Sequence, residues 1–269
     1  MSYDDFIRGV VSLVLASLLA AVALRGRVLT RAGLALAWAC AAVIAFCGGI
    51  TAFLALAAVF IFTVLAGRLA RTEGASVGER LHLKSGPRDA AQIFCNVFTG
   101  ALMLLLRALT GNVCFLWAYG GAMAASLADS LASELGVLSK AAPRDILTGK
   151  SAEKGLSGAV SPLGLGMSLL GAAIVAGICA FLWDEGSLSM FLSMTAAGVL
   201  AALADSALGS ALQAKYRCPG CGLLTEKPEH CGVPGTVERG LSWVTNDVVN
   251  LCNNLIGALA ALALSFAFE

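Results

Sequence analysis

Long runs of hydrophobic residues alternate with short polar segments along almost the whole chain. These runs predict eight transmembrane helices, since about 20 apolar residues in helical conformation cross the roughly 30 Å hydrocarbon core of a bilayer. Only Cys47, Gly48 and Gly49 separate the second run from the third, so that boundary is the least defined. The predicted spans are residues 6–24, 32–47, 50–67, 90–109, 115–135, 162–182, 187–212 and 244–266.

The composition places the chain in the membrane class. Of its 269 residues, 58% are hydrophobic and 13% are charged, and the mean hydropathy is +0.84. Globular domains carry about a quarter charged residues. We therefore predict an all-α fold, with one polytopic membrane domain over residues 1–269 built as a bundle of about eight helices. The first span follows Asp4 and Asp5 and lacks a small-residue cleavage site, which favours a retained helix over a signal peptide.

Basic residues are distributed unevenly between the predicted loops. Sixteen of the eighteen lysines and arginines fall in odd-numbered loops, and only Arg8 and Arg107 lie elsewhere. The positive-inside rule assigns basic loops to the cytoplasm. Both termini are therefore predicted to face outward, and the expected location is a bacterial inner membrane. The net charge of +1 identifies no partner, and no nucleic acid is expected.

Nine cysteines raise the question of disulfides. Six of them fall in or beside apolar runs, where cysteine behaves as a small hydrophobic residue. The other three lie in a predicted cytoplasmic loop, where thiols stay reduced. The sequence therefore predicts no disulfide framework.

Two acidic phrases interrupt the apolar runs, LADSLASELG at 127–136 and LADSALGSAL at 203–212. An ionised acid in the bilayer core costs about 2.5–3.5 kcal/mol, so acids placed there are usually functional. Asp129 and Asp205 both lie toward the end of a span that leads into a basic loop. The two phrases therefore predict a polar site near the cytoplasmic face.

Helical spacing groups further polar residues around these acids. One helix face combines Ser126, Asp129, Ser130 and Ser133, flanked by Glu134, and the other combines Asp205, Gly209 and Gln213. Two carboxylates facing each other from neighbouring helices suit Mg²⁺, which prefers carboxylate and phosphate oxygens. We predict that Asp129 and Asp205 hold this ion. The alternative is that each aspartate is neutral or hydrogen-bonded to a neighbouring helix.

The loop at 143–166 has the composition of a phosphate-binding segment. It combines cations with glycines directly before a predicted helix, and glycine-rich backbone at a helix N-terminus binds phosphate. Residues 149–151, Gly-Lys-Ser, resemble the end of a P-loop, but the first glycine of that motif falls on Arg144 and no strand is predicted before it. This is not a Walker motif. The candidate residues are Arg144, Lys150, Lys154, Gly155, Gly158, Gly164 and Gly166.

Amide side chains mark two other helices. Gln92 and Asn96 lie one turn apart in a predicted span preceded by Arg88, and amides within a membrane need hydrogen-bonding partners. His82, earlier in the same loop, is more typical of a surface residue. The last predicted helix places polar residues on one face, which predicts a cavity wall with a third acid near it. These residues are Asn246, Asp247, Asn250, Asn253 and Asn254.

A Cys/His pattern lies in the segment YRCPGCGLLTEKPEHCG. Cys218 and Cys221 form a CxxC turn, and His230 with Cys231 supplies a short return, as in a zinc knuckle. The spacing predicts a structural zinc ion in a small cytoplasmic loop insert at 214–240. The sequence leaves open whether the adjacent His230 and Cys231 both reach one ion. Four protein ligands would leave no open position for catalysis.

Several of these phrases together resemble a known family. LADSLASELG, PRDILTGKSAEKGLSGAVSPLG, ADSALGSALQAKYRCPGCG and WVTNDVVN resemble the integral membrane family first named domain of unknown function 92. That family includes the transmembrane-protein-19 group and the phytyl-phosphate kinase of tocopherol synthesis. The likeness extends roughly from residue 30 to 262.

A looser similarity extends to dolichol kinase, phytol kinase and CTP-dependent cytidylyltransferases. In these proteins an Asp-rich helix precedes a proline and a Lys-x-x-Glu-Gly-like phrase. Here that phrase reads Lys150-Ser-Ala-Glu153-Lys154-Gly155, and the additional Lys154 departs from it.

The resemblance implies a Mg²⁺-dependent transferase that moves a phosphoryl group from a nucleoside triphosphate, with CTP as the expected donor, to a prenyl monophosphate. Its partners would be the lipid bilayer, the nucleotide and a phytyl-phosphate-like substrate. The residues assigned to catalysis are Asp129, Glu134, Asp205, Lys150 and Lys154. Those assigned to binding are Arg88, Gln92, Asn96, Ser133, Gly155, Gly158, Gln213, Asn246, Asp247 and Asn250.

Three other functions compete with this interpretation. A secondary transporter would also carry intramembrane acids and internal repeats, but the two Leu-Ala-Asp-Ser segments diverge directly after the serine. A lipid cytidylyltransferase would use the same donor. A serine hydrolase is disfavoured, because both histidines lie in predicted loops.

Overall fold

The computed structural model of the protein describes residues 3–72 and 86–267. Within these ranges the chain forms seven α-helices, where the sequence predicts eight spans. Their bounds are α1 Tyr3–Arg25, α2 Arg31–Thr72, α3 Ala90–Thr110, α4 Cys114–Gly136, α5 Pro162–Leu182, α6 Leu188–Ala211 and α7 Asn246–Ser265. The difference in number arises in α2, which contains two of the predicted spans.

Helix α2 reverses direction at Gly49, whose backbone angles are φ 69° and ψ −163°. Near its start, a β-carbon added to Gly33 would lie 2.6 Å from the carbonyl oxygen of Arg88. Near its end, a β-carbon added to Gly67 would lie 3.4 Å from the carboxylate of Glu134. Arg88 and Glu134 form an ion pair at 3.9 Å, so both ends of α2 lie at the same end of the bundle.

The break in α2 lies at the other end of the bundle. The indole Nε1 of Trp183 donates to the carbonyl oxygen of Gly48 at 3.4 Å, and the Thr51 hydroxyl donates to the carbonyl of Leu182 at 3.1 Å. The arms before and after Gly49 are about 27 Å and about 34 Å long at 1.5 Å per residue. The predicted spans at 32–47 and 50–67 are therefore the two helical arms on either side of Gly49, and the predicted boundary at residues 47–49 lies where the helical backbone is interrupted.

Helix α4 lies at the centre and packs against α2, α3, α5, α6 and α7. Small residues allow this close packing. A β-carbon added to Gly171 of α5 would lie 2.8 Å from the Leu127 carbonyl oxygen, and one on Gly198 of α6 would lie 2.9 Å from the Ala124 side chain. Five of the described helices, α2, α3, α5, α6 and α7, are long and apolar enough to cross a membrane. The central α4 is surrounded by protein and needs less hydropathy than a lipid-facing helix.

Short strands of two to four residues occupy the two long loops, within a fold that is otherwise helical as predicted. In the first, β1 (Arg144–Asp145) pairs antiparallel with β2 (Ala159–Val160). In the second, β3, β4 and β7 form a three-stranded sheet in the order β4-β3-β7, and β5 pairs with β6. The strands of the second loop are β3 Lys215–Arg217, β4 Leu224–Thr225, β5 Glu229–His230, β6 Val233–Pro234 and β7 Thr236–Arg239. This second loop is the predicted insert at 214–240, here called the Cys/His module.

Both long loops lie at the end of the bundle that holds the two ends of α2, here called the site end. The Ser210 hydroxyl, in the last turn of α6, donates to the Asp145 carboxylate at 2.6 Å. At the opposite end, Arg107 of α3 pairs with Glu185 in the α5–α6 connection at 3.1 Å. The long polar segments of the described chain, 137–161 and 212–245, are thus gathered at the site end.

Candidate functional site

A cavity of about 760 Å³ opens at the site end of the bundle. Residues from α2 to α7 and from both long loops form its walls. Almost every site residue predicted from the sequence lines it. These are Arg88, Gln92, Asn96, Asp129, Ser133, Glu134, Lys154, Gly155, Gly158, Asp205, Gln213, Asn246, Asp247 and Asn250.

Among the residues assigned to catalysis or substrate binding, Lys150 is the one that the structure does not bring to the cavity walls, and Arg144 and Gly166 of the candidate phosphate-binding segment do not line the cavity either. Lys150 is exposed at the end of a tight turn, where its carbonyl oxygen accepts from the Asp145 amide at 2.9 Å. Its predicted role, neutralising a transferring phosphate, would require this turn to move. The predicted surface residue His82 lies outside the described residues, as does Lys84.

Two helices deliver the aspartates predicted to hold a metal ion. Asp129 lies in the last two turns of α4 and Asp205 in the last two turns of α6, and both face the cavity. Within the described part of the chain, Oδ2 of Asp205 is buried and has no hydrogen-bond partner. Its charged neighbours are the carboxylates of Asp129 and Glu226. A buried carboxylate oxygen of this kind is costly unless an ion or a proton compensates it.

Glu226 is a further acid of the cavity that sequence reasoning missed. It lies between β4 and β5 in the Cys/His module and is only 6% exposed. Its Oε1 accepts from both the backbone amide and the hydroxyl of Ser157. The sequence places Glu226 in an ordinary polar loop, and only the packing of that loop onto the bundle reveals its position.

Cations surround the acids on the α2 side. Oε1 of Glu134 lies 3.9 Å from Nη2 of Arg88 at the cavity wall. The sequence predicted that Glu134 flanks the helix face that carries Asp129. Arginines that the sequence assigned to loop topology also reach the walls, namely Arg27, Arg68 and Arg71. The site therefore combines carboxylates with several cations in one enclosed space, which is the arrangement required to hold a polyanion and a divalent ion together.

The amides of α3 are partly used to stabilise the helix. Gln92 and Asp89 form a reciprocal capping box at its N-terminus. Asn96 donates to the Gln92 carbonyl at 2.8 Å and accepts from the Ser126 hydroxyl at 3.3 Å, which joins α3 to α4. Of these residues, Gln92 and Asn96 also line the cavity.

The polar face of α7 divides into two parts. Asn246, Asp247 and Asn250 line the cavity. Asn253 and Asn254 are fully buried and instead join helices, donating to the carbonyls of Ala125 at 3.1 Å and Cys95 at 3.0 Å. The prediction that all four asparagines form a cavity wall is therefore wrong for the last two, because they point between helices rather than into the cavity.

The glycine loop, residues 154–158, packs closely on α6. Gly155 and Gly158 have φ values of 82° and 88°, which favour glycine. A β-carbon added to Gly158 would lie 2.5 Å from the Ser210 side chain and 2.6 Å from its Cα. The loop leads to Ser161, which caps α5 by accepting from the Gly164 amide at 3.1 Å. The Lys154 ammonium, at the start of this loop, donates to the Ser139 carbonyl at 2.6 Å.

Asp145 holds the turn beside this loop and was not among the predicted site residues. Its carboxylate accepts from the Thr148 amide at 2.8 Å and from the Leu147 amide at 3.1 Å, in addition to Ser210. Burial acts to raise the pKa of Asp145, but the hydrogen bonds from Ser210 and Thr148 outweigh it and lower the pKa to about 2. Asp145 is therefore a charged anchor between the first long loop and α6.

The four predicted ligands of the Cys/His module come together. One ligand atom from each of Cys218, Cys221, His230 and Cys231 lies within 4.8 Å of the others. Nδ1 of His230 is 3.4 Å from Sγ of Cys221 and 3.2 Å from Sγ of Cys231, so adjacency does not prevent both residues from reaching one point. A hydrogen bond with His230 lowers the pKa of Cys218 to about 6, which favours the metal-binding thiolate. These side chains are able to hold a metal ion.

Taken together, the fold and the cavity define a polytopic α-helical membrane protein with a charged site at one end of its bundle. The family model for integral membrane protein DUF92 matches residues 14–258. The chain belongs to this family, as its sequence motifs predicted.

One relative is an uncharacterized membrane protein of Methanocaldococcus jannaschii. The two are 34% identical over 152 residues, which cover 55% of this chain and 60% of the relative. The matched region thus spans less than two thirds of the relative's length. No solved structure matches the chain.

Proposed function

We propose that the protein is a membrane-embedded kinase that transfers the γ-phosphoryl group of a nucleoside triphosphate, with CTP as the expected donor, to a prenyl monophosphate. The products would be a prenyl diphosphate and a nucleoside diphosphate. The observation that carries the proposal is the buried Oδ2 of Asp205, which has no hydrogen-bond partner in the described chain and lies in a cavity shared with Asp129 and several cations.

The acids fit a Mg²⁺ ion. Asp129 and Asp205 offer carboxylate oxygens from two rigid helices, and phosphate oxygens would complete the coordination. A bound ion of this kind would neutralise negative charge on the triphosphate. Glu134 is held by Arg88 on the opposite wall and would orient a ligand there.

The chain's own cations would bind the two anionic substrates. Lys154 and the arginines of α2 and the preceding loop line the cavity and would draw the lipid phosphate toward the triphosphate. An oxygen of the monophosphate attacks the γ-phosphorus while the bond to the β,γ-bridging oxygen breaks. The attacking oxygen is already anionic near neutral pH, since the second pKa of a phosphate monoester is about 6. No general base is therefore needed.

Labelled nucleotides distinguish this proposal from its competitors. Purified protein in lipid would be incubated with CTP labelled at the γ- or α-phosphate and a panel of prenyl monophosphates. A kinase puts only the γ-label into the lipid product, whereas a cytidylyltransferase puts in only the α-label and releases pyrophosphate. Absence of both, together with solute uptake into liposomes that depends on Asp129, would replace the kinase with a transporter.

The site end is proposed to face the cytoplasm. Its loops carry nearly all the basic residues, which the positive-inside rule retains on that side, and nucleotide is available there. Single cysteines introduced at Lys150 and at Asp184, which is exposed near position 186, in a background lacking exposed cysteines, would be labelled with an impermeant thiol reagent on intact cells. Labelling at Asp184 alone is expected, and labelling at Lys150 would overturn the assignment.

Zinc is proposed as the ion of the Cys/His module. Three thiolates and an imidazole match its preference for sulfur and nitrogen in tetrahedral geometry. Metal analysis of the purified protein should give about one zinc per chain, and the double variant Cys218→Ser and Cys221→Ser should give none. Wild-type protein that is stable and free of transition metals would show that these residues act otherwise.

A further inference from the structure

We propose that Glu226 is a positioning residue through which the Cys/His module holds the glycine loop of the cavity in place, so that metal binding in the module controls the order of the site. The proposal goes beyond the kinase activity but rests on it for the meaning of the glycine loop. Its structural part concerns only residues of the module and the loop.

The amide, the hydroxyl and the carbonyl group of Ser157 are all hydrogen-bonded to residues of the module. Its amide and hydroxyl donate to Oε1 of Glu226, the amide at 3.1 Å. Its carbonyl accepts from Nζ of Lys215 at 2.7 Å. Within the described chain, these contacts couple residue 157 to two module residues that are more than 55 positions away in sequence.

Both module residues are buried charged groups that influence each other electrostatically. Lys215 is 2% exposed and Glu226 is 6% exposed. Burial lowers the pKa of Lys215, and the carboxylate of Glu226 opposes that shift. Hydrogen bonds to charged groups in such surroundings contribute more than neutral ones. The loop is therefore fixed by strong contacts rather than by its own glycine-rich backbone.

Each of the two module residues is followed in sequence by a candidate metal ligand. Lys215 lies in β3, three residues before Cys218, and Glu226 lies four residues before His230. Cys218 and Cys221 belong to the β3–β4 turn, while His230 and Cys231 belong to the β5–β6 hairpin. One ion would therefore join two hairpins, and Glu226 lies on the link between them.

The module needs such a cross-link to stay ordered. Strands β4, β5 and β6 are two residues long, and an isolated two-stranded hairpin is marginally stable in water. Closing a site with four ligands supplies folding free energy to a segment of this size. Loss of the ion should release the link that carries Glu226, and with it the clamp on Ser157.

Hydrogen exchange of the peptide containing Ser157 tests the coupling without measuring activity. The full-length protein in detergent would be compared with Zn²⁺ bound, after removal of Zn²⁺ by a chelator, and as Cys221→Ser, Glu226→Gln and Glu226→Ala. Exchange at this peptide should become about tenfold to a hundredfold faster in all four altered states. Glu226→Gln should retain its zinc, and it keeps the test usable if Glu226→Ala does not fold.

Glu229→Gln is the matched control, since it removes the same charge from an exposed position three residues away. It should change neither zinc content nor exchange. The double variant Cys221→Ser with Glu226→Gln should exchange at Ser157 little faster than the faster of the two single variants. The reason is that both changes disrupt the same connection between the metal site and Ser157. Additive effects, or unchanged exchange at Ser157 after zinc removal, would overturn the proposal.

Activity separates this proposal from the kinase proposal. Zinc-loaded Glu226→Gln should lower kcat for phosphoryl transfer at least about tenfold, and removal of zinc should lower it no further in that variant. Wild-type protein that transfers no phosphoryl group, yet shows the exchange changes, would overturn only the kinase. Full turnover by zinc-loaded Glu226→Gln would overturn the positioning role.

Discussion

The two ends of the helix bundle are built from the same helices but are joined in different ways. At the opposite end the connections are short: the break at Gly49, residues 111–113 and residues 183–187. At the site end, α1 and α2 are joined by the short segment 26–30, and the long loops at 137–161 and 212–245 contribute much of the cavity wall.

This difference shows that helix packing is set along the whole bundle, whereas the candidate site is confined to the site end. Glycine and alanine contacts around α4 set the helix positions and are spread along the bundle. The acids on the helices become a site only where loops bring cations, glycines and a further acid to them. Substitutions at the site end should therefore impair activity, whereas those at the opposite end should at most affect stability.

The largest effect is expected for Asp129→Asn and Asp205→Asn. Each retains the shape of the side chain and removes its charge, so phosphoryl transfer should fall by at least about a hundredfold while folding is retained. Turnover would be measured with γ-labelled CTP at matched expression and thermal stability. Arg107→Gln, at the opposite end, is the control and should keep wild-type turnover. Near-wild-type rates in both aspartate variants would remove the metal assignment.

A large loss of stability is expected for Gly158→Ala. The added methyl group meets Ser210 at 2.5 Å and the residue must adopt φ 88°, which together should cost about 2 kcal/mol or more. Gly166→Ala is the control, since a β-carbon there meets nothing within 4 Å and α5 gains a better helix former. Thermal unfolding in detergent should order the proteins as Gly158→Ala, wild type and Gly166→Ala, from least to most stable. Equal stability of all three would contradict the close packing of the glycine loop.

A pH-dependent effect is expected for Asp145→Asn. The folded-state pKa of Asp145, about 2, lies below the ordinary value of 3.8, so its ionised form stabilises the fold above about pH 4. That contribution is lost as the pH falls from about 4 to about 2. The difference in unfolding midpoint between wild type and Asp145→Asn should therefore be largest near neutral pH and shrink over this interval. A constant difference would assign the effect to packing.

The smallest effect is expected at the opposite end. Arg107 and Glu185 pair at 3.1 Å with side chains 31% and 37% exposed, and exposed ion pairs contribute about 0–1 kcal/mol. Arg107→Gln should lower stability within that range, and added salt should reduce the difference. A loss above about 2 kcal/mol would show that this end also depends on charge.

Sequence periodicity was sufficient for the helices and for most of the cavity. The prediction of residues 162–182 coincides with α5, and the acids on α4 and α6 line one cavity as expected. Helical spacing succeeds here because a polar side chain that faces lipid is energetically costly, so such a residue in an apolar helix faces the bundle interior.

Contacts between distant segments could not be predicted in the same way. The position of Glu226 depends on how a loop with two-residue strands folds back onto Ser157. Asn253 and Asn254 share a helix face with Asn250, and only the approach of α3 and α4 separates their roles. Lys150 lies in a recognisable glycine-rich motif, but the turn held by Asp145 directs it away from the cavity.

The two arms of α2 must enter the bilayer as one unit. Gly49 alone separates the two arms. The arms are therefore not joined by a hydrophilic linker that could remain in water before the second arm inserts. The segment that has to be carried across, Cys-Gly-Gly-Ile-Thr at 47–51, bears no charge, and neither does Gly-Asn-Val at 111–113. Among the described connections at that end, only Asp184 and Glu185 carry formal charge. With the site end on the side of synthesis, membrane insertion would translocate very little polar chain, and the cations of the two long loops would not have to cross, whereas Arg107 would.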